Sequence, residues 1–162
     1  MKQVRKDLRY DGATVEQVFG MLGSKEFREA VCDYQRVLHR TVTVDRDGES
    51  FAVTIDQGHA TDRLPRFARK IVGEHVVMVQ AEKWTGGTEG RITVTVPGKP
   101  GEMTGTATLV PDAGGVTEKV DMTVTVHLPL IGGKVEGLIA DMLRKALHAE
   151  HEVGQDWLAG KA

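Results

Sequence analysis

Two polar residues interrupt an apolar run where they could do chemistry. Val76-Val77-Met78-Val79-Gln80-Ala81-Glu82-Lys83-Trp84 reads as a strand, and strand side chains alternate between faces with period 2. If Met78 and Trp84 point into a core, Gln80 and Glu82 point in with them. A carboxyl group inside an apolar cavity has its pKa raised by desolvation, and can act as an acid or hold a ligand hydroxyl. The other register turns Val77, Val79 and Ala81 inward and leaves both polar residues in solvent. The pattern admits both.

The other reactive side chains are scattered. His39, His59, His75 and His127 have no common spacing. His148 and His151 lie i, i+3, flanked by Glu150 and Glu152, so a two-histidine surface metal site is geometrically possible. The spacing is not the His-Glu-x-x-His of zinc peptidases, and a solvated helix face is the simpler reading. No metal or other cofactor is expected. Gly86-Gly87 and Gly114-Gly115 join strand to strand, so no helix N-terminus awaits an anion there. Gly132-Gly133 precedes a helix but lacks the Lys-Ser/Thr of a phosphate-binding loop. Cys32 falls in an apolar-periodic segment and reads as a small buried residue. Arg63, Arg66, Arg69 and Lys70 read as a solvated face. No Ser-His-Asp or Cys-His arrangement is recognisable from spacing, and no catalytic residue is assigned.

The elements that must position these residues follow from changes of period. Residues 3–10 read as a strand ending at Asp11-Gly12. Thr14, with Gln17 three residues on, forms a capping box. Val15, Val18, Phe19 and Leu22 make a short helix closed by Gly23, and Ser24 caps a second helix to about Tyr34. From Val37 the period is 2: strands over 37–44 and 51–55 flank the Asp47-Gly48 hairpin turn. Residues 59–73 break the rhythm with Leu64, Phe67, Ala68 and Ile71 at helical spacing. This segment reads as a short helix or ordered loop, and either as a lid over a cavity or as a satellite apolar cluster. Strands resume at 74–84, 91–96, 103–110 and 116–128, separated by turns at Gly86-Gly87, Pro97 to Gly101 and Pro111 to Gly115. The last carries Val120, Met122, Val124, Val126 and Leu128 on one face.

Ile131, Val135, Leu138, Ile139, Met142, Leu143, Ala146, Leu147, Val153, Trp157 and Leu158 then mark one long amphipathic helix. A helix of about 25 residues is about 37 Å long, so it must lie across something broad. The antiparallel meander is the available layer. Val135 to Met142 are the expected ligand-facing part, and Ala146 to Leu158 the packed part.

Composition narrows the class. At 162 residues, a single domain over 1–162 is the simplest organisation. A hydrophobic fraction of 40% with 27% charged residues is ordinary for a soluble protein. The net charge of −2 gives no reason to expect nucleic acid or an anionic membrane as partner. One cysteine forbids an internal disulfide and suits a reducing compartment. Residues 1–7 show no apolar h-region, so no secretory leader is expected, and no apolar run is long enough for an integral membrane segment. A cytoplasmic monomer or homodimer is expected.

Glu82-Lys83-Trp84 closing one strand, Pro100-Gly101 before Gly105, and Leu128-Pro129-Leu130-Ile131-Gly132-Gly133-Lys134-Val135-Glu136 entering the helix resemble the START-like superfamily (SRPBCC, Bet v 1-like). Within it they are most similar to the domain of unknown function 2505 family. The resemblance covers the whole chain. It implies an α+β helix-grip fold: a curved antiparallel sheet of about seven strands around the C-terminal helix, two short helices after the first strand, and an apolar cavity between sheet and long helix. Relatives bind lipids, sterols or polyketides, and some are cyclases or aromatases. Fold alone does not choose among these. The expected function is binding of a hydrophobic small molecule, with a polyketide cyclase-like enzyme or an interaction protein as alternatives. The expected ligand contacts are Leu64, Phe67, Ile71, Met78, Glu82, Ile92, Val94, Met122, Val124, Val135, Leu138, Ile139 and Met142.

Overall fold

A computed structural model describes residues 1–161. β1 (Lys2–Asp11) leads into α1 (Val15–Leu22) and α2 (Lys25–Tyr34). Both capping readings hold. Thr14 Oγ1 accepts from Gln17 N at 3.2 Å while Gln17 Oε1 accepts from Thr14 N at 2.9 Å. Ser24 Oγ accepts from Phe27 N at 3.2 Å. These contacts satisfy amides left free at each helix start.

The meander follows as β2 (His39–Asp47), β3 (Ser50–Ala60), β4 (His75–Thr85), β5 (Glu89–Thr95), β6 (Glu102–Asp112) and β7 (Gly115–Thr125). α3 (Arg66–Val72) lies between β3 and β4, and α4 (Gly132–Leu158) ends the chain. The seven strands form one antiparallel sheet in the order β1-β7-β6-β5-β4-β3-β2. The first strand therefore pairs with the last, from Lys2 opposite Val124 to Asp11 opposite Gly115. The sheet is curved, and the architecture is the α+β helix grip.

One face of the sheet is buried in strict alternation: Val4, Leu8 and Tyr10 on β1, Val53 and Ile55 on β3, Val120, Met122 and Val124 on β7. α4 covers this face, and α1 and α2 close one end with Val18, Leu22 and Phe27 fully buried. Burial of each such side chain stabilises the fold by about 1.5–3 kcal/mol.

Three of the differences from the sequence reading bear on how α4 and the 59–73 segment sit. The last strand stops at Thr125 rather than Leu128, because Val126 N donates to Glu136 Oε2 of α4 at 2.9 Å instead of to a neighbouring strand. The buried stripe of α4 begins after Ile131, which is exposed. The preceding Leu130 is held at φ 68 and points into solvent, so the turn into the helix turns both apolar side chains outward. The 59–73 interruption is shorter than its pattern suggests, since β3 continues to Ala60.

Candidate functional site

β4 resolves the register that the sequence left open. Trp84 is fully buried, Glu82 is buried with it, and Ala81 is exposed. Trp84 points inward because its neighbour on β5 is Gly90: a Cβ there would stand 2.4 Å from the indole. The indole stacks on Phe51, centroids 6.1 Å apart, and meets Phe19 edge-on. Period 2 then carries Glu82 and Gln80 onto the concave face.

Glu82 meets Arg28 there. Arg28 Nη2 donates to Glu82 Oε1 at 2.8 Å and Nη1 to Oε2 at 3.0 Å, a bidentate pair. Trp84 Nε1 donates to Oε1 at 2.8 Å, and Gln80 Nε2 donates to Oε2. Arg28 also donates through Nε to Leu22 O at 2.7 Å, and through Nη1 to Glu150 Oε1 of α4 at 3.3 Å. Arg28 is 2% exposed. Burial alone would raise the Glu82 carboxyl. The guanidinium, helped by hydrogen bonds from Arg28, Trp84 and Gln80, more than offsets this and holds it below the ordinary glutamate range. The expectation of a raised Glu82 is thus corrected: four donors keep it ionised and leave it no spare acceptor.

The raised carboxyl is Glu118 on β7, also 2% exposed. Burial, then the neighbouring Glu150 and Glu82, push it well above the ordinary value, and Arg28 opposes them insufficiently. Burial and Glu82 also raise Glu150, against the pull of Arg28. Glu118 and Glu150 are within hydrogen-bonding reach of one another and can share a proton. Glu118 Oε1, Glu150 Oε2 and Tyr10 Oη have no hydrogen-bond partner among the described residues. Burial, then Glu150 and Glu118, raise the Tyr10 phenol. Burial also pushes the Cys32 thiol up to about 11, so this cysteine is no nucleophile at neutral pH.

Arg28, Glu82, Glu118 and Glu150 form the charged end of a cavity of about 600 Å³ between the concave sheet face and α4. Such a volume is within the usual range for small-molecule sites. Ile55, Met78, Ile92, Val94, Met103, Val120 and Met122 line it from the sheet; Val31 and Cys32 line it from α2. From α4 it is lined by Ile139, Met142, Leu143, Ala146, Leu147 and Glu150.

Of the residues singled out in the sequence, Met78, Glu82, Ile92, Val94, Met122, Ile139 and Met142 come together around this space. Ile71 and Val135 border a smaller one of about 40 Å³, which Ile139 also reaches. Leu64, Phe67, Val124 and Leu138 line neither. Val124 is fully buried in the core. Leu138 stands about 100° around the helix from Ile139, at the margin of the inward face. Phe67 lies under the Lys134 ammonium, 4.3 Å from its ring centroid. The cavity also extends past Met142 to Glu150, further along α4 than the expected division at Met142.

The basic residues Arg63, Arg66, Arg69 and Lys70 are exposed. His151 Nε2 pairs with Arg9 O at 2.8 Å, while His148 is exposed. No group of three His, Cys, Asp or Glu among the described residues could hold a metal ion. No helix among them is long and apolar enough to cross a membrane.

Residues 6–158 match the profile of the family described as "Protein of unknown function (DUF2505)". The chain belongs to the DUF2505 family. Uncharacterized proteins of Mycobacterium tuberculosis and Mycobacterium bovis are 29% identical to this DUF2505 chain over 118 residues, which is 69% of this chain and 67% of theirs. Among solved structures, TTHA0849 from Thermus thermophilus superposes with TM-score 0.67 at 16% identity, covering 99% of each chain. The di-domain ARO/CYC StfQ from the steffimycin biosynthetic pathway gives 0.65 at 15%, covering 98% of this chain and 51% of that one. A START superfamily protein from Mycobacterium smegmatis gives 0.59 at 17%, covering 94% and 97%. At these identities the likeness is one of fold, and it is the START-like fold.

Sequence reasoning missed Arg28, Glu118 and Glu150 in the DUF2505 chain, although each left a signal. Glu118 continues the inward set Val120, Met122 and Val124 at period 2. Glu150 lies three residues from both Leu147 and Val153, within the apolar stripe. Arg28 is four before Cys32 and next to Phe27 on the buried side of α2. Each is a charge at a core position, which requires a buried partner.

Proposed function

We propose that this protein binds a hydrophobic or amphipathic small molecule between the concave sheet face and α4. The observation that carries this reading is the cavity of about 600 Å³, lined mainly by apolar side chains, with Arg28, Glu82, Glu118 and Glu150 gathered in its wall. Burial of the ligand's apolar surface, at about 25 cal/mol per Å², supplies affinity, and the polar end sets orientation. Met78, Met122 and Met142 suit such a surface, because the flexible thioether adapts to varied apolar shapes. The single buried thiol fits a cytoplasmic location. Native mass spectrometry of the purified protein should show a bound species of discrete mass that organic extraction removes. No adduct, together with no thermal shift from any amphiphile tested on the extracted protein, would sink the reading.

A second reading is favoured by Glu118. Two raised carboxyl groups beside one void meet a basic requirement for acid–base chemistry. The fold neighbour StfQ is described as a di-domain ARO/CYC protein, and a reaction of the cyclase kind can use a general acid. Here it would be Glu118, since Glu82 is saturated by its donors. Substrate-dependent turnover abolished by Glu118→Gln, with binding retained, would support this over simple binding.

A further inference from the structure

The charged end of the cavity holds more negative than positive groups. Three buried carboxyls, Glu82, Glu118 and Glu150, face one guanidinium. Arg28 and Glu82 neutralise one another in the bidentate pair. That leaves two carboxyls, one of which also touches Arg28 Nη1 at 3.3 Å. Whenever one of the two is ionised, the pair carries a negative charge that the shared guanidinium does not fully offset, and burial of an unpaired charge is costly. Two of its oxygens, Glu118 Oε1 and Glu150 Oε2, have no hydrogen-bond partner among the described residues. Both residues are at least nine-tenths buried and border the cavity. The other basic groups lining the cavity are engaged or exposed: His59 Nε2 pairs with Gln57 Oε1 at 2.9 Å, Arg144 pairs with Asp141 in solvent, and Lys145 and His148 are exposed.

We propose that the Glu118–Glu150 end of the cavity is a site for a protonated amine, so that the ligand is an amphipathic primary or secondary amine with its apolar body along α4. This deepens the small-molecule reading and rests on it. An ammonium is a donor without an acceptor. It satisfies both orphan oxygens at once and supplies the missing positive charge. A carboxylate head is repelled by the same pair. An alcohol offers one hydrogen bond and leaves the charge uncompensated.

The groups facing the pair are Tyr10 from β1, Arg28 from α2 and Glu82 from β4; His151 of α4 stacks edge-on against Tyr10 and bonds Arg9 O. Tyr10 stays neutral and Arg28 charged throughout the working range, so the Glu118–Glu150 pair is what titrates. As pH falls the pair takes up protons, and its demand for a cation declines.

The test is calorimetry of the organic-extracted protein with n-decylamine, n-decanol and decanoate at pH 7.5 and pH 5. The expected result at pH 7.5 is decylamine at least about tenfold tighter than decanol, a difference of about 1.4 kcal/mol, with decanoate weakest. The preference for the amine should shrink at pH 5. Glu118→Gln/Glu150→Gln, which keeps the shape and the donors to the Arg28–Glu82 pair, should lose the preference for decylamine over decanol. Decanol binding as tightly as decylamine at pH 7.5, or a preference unaltered by pH, overturns the amine site and leaves the small-molecule reading standing. Failure of all three probes to bind overturns both. The wild-type measurements decide the question even if the double variant does not fold.

Discussion

Glu118 is the residue whose chemistry departs furthest from its surface counterpart, and the departure sets a pH dependence of stability. Burial and two neighbouring carboxylates raise its pKa in the folded chain. In the unfolded chain it ionises near its ordinary value of 4.5. Between these two values the folded state binds the extra proton, so stability is greatest below about pH 4.5 for this group and falls as pH rises. Glu118→Gln removes the group from the balance. Relative to the natural protein, the variant should gain stability on going from pH 5 to pH 8, by up to about 1.4 kcal/mol per pH unit while only the unfolded chain is ionised. Urea melts across that range measure it. A difference that stays flat with pH would show that Glu118 is not held protonated by the fold. The residue itself was within reach of the sequence, since the alternation that places Val120 and Met122 inward also places Glu118. Its partners were not. Arg28 lies 54 residues from Glu82 and 122 from Glu150, and no local pattern records that α2, β4 and α4 converge. The inward register was one of two the pattern left open, and the raised pKa that it would bring to Glu82 failed for the same reason: a pKa depends on the neighbours that folding supplies.

At the scale of the element, α4 was the clearest signal in the chain, because eleven apolar positions at helical spacing outweigh local ambiguity. Its exact seat was less legible. Where α4 crosses β1, closeness is set by Gly154, whose position reads in the sequence only as a weak spot for a helix. A Cβ there would stand 2.7 Å from Tyr10 Oη and 2.8 Å from Cε1. Gly137, nearer the helix start, has nothing closer than Lys2 Nζ at 4.0 Å. Alanine favours helix over glycine by up to about 1 kcal/mol, so the two positions should respond with opposite sign. Gly137→Ala should stabilise by about 0.5–1 kcal/mol. Gly154→Ala should destabilise by about 1–3 kcal/mol, since the tyrosine ring or the helix must move. Equal gains at both sites in denaturant melts would mean that α4 does not rest on Tyr10. The strands were legible to within a few residues because turns such as Asp47-Gly48 punctuate them. The error at Val126 arose because an α4 carboxylate, Glu136, takes the amide that a strand would use.

For the molecule as a whole, the same residues would serve stability if the space between sheet and helix were filled. A protein that keeps about 600 Å³ open there forgoes dispersion contacts that a closed core would make. Sequence pattern could announce the layers and which faces meet, but not whether they touch, because apolar alternation is the same for a packed core and a lined cavity. Ile139 is suited to separating the two demands. It borders both the large and the small space, and it is only half-buried. In Ile139→Trp the indole projects into the opening rather than into packed side chains. The ligand-free variant should match or exceed the natural protein in stability, by up to about 2 kcal/mol, as cavity-filling changes commonly do. A ligand at one hundred times its Kd stabilises a binding protein by about 2.7 kcal/mol, and this increment should fall sharply in the variant. Thermal melts with and without n-decanol provide the comparison. If Ile139→Trp leaves the ligand-induced shift intact, the occupant sits elsewhere. If it unfolds the chain instead, α4 rests on the sheet at Ile139 and the ligand space begins only beyond it.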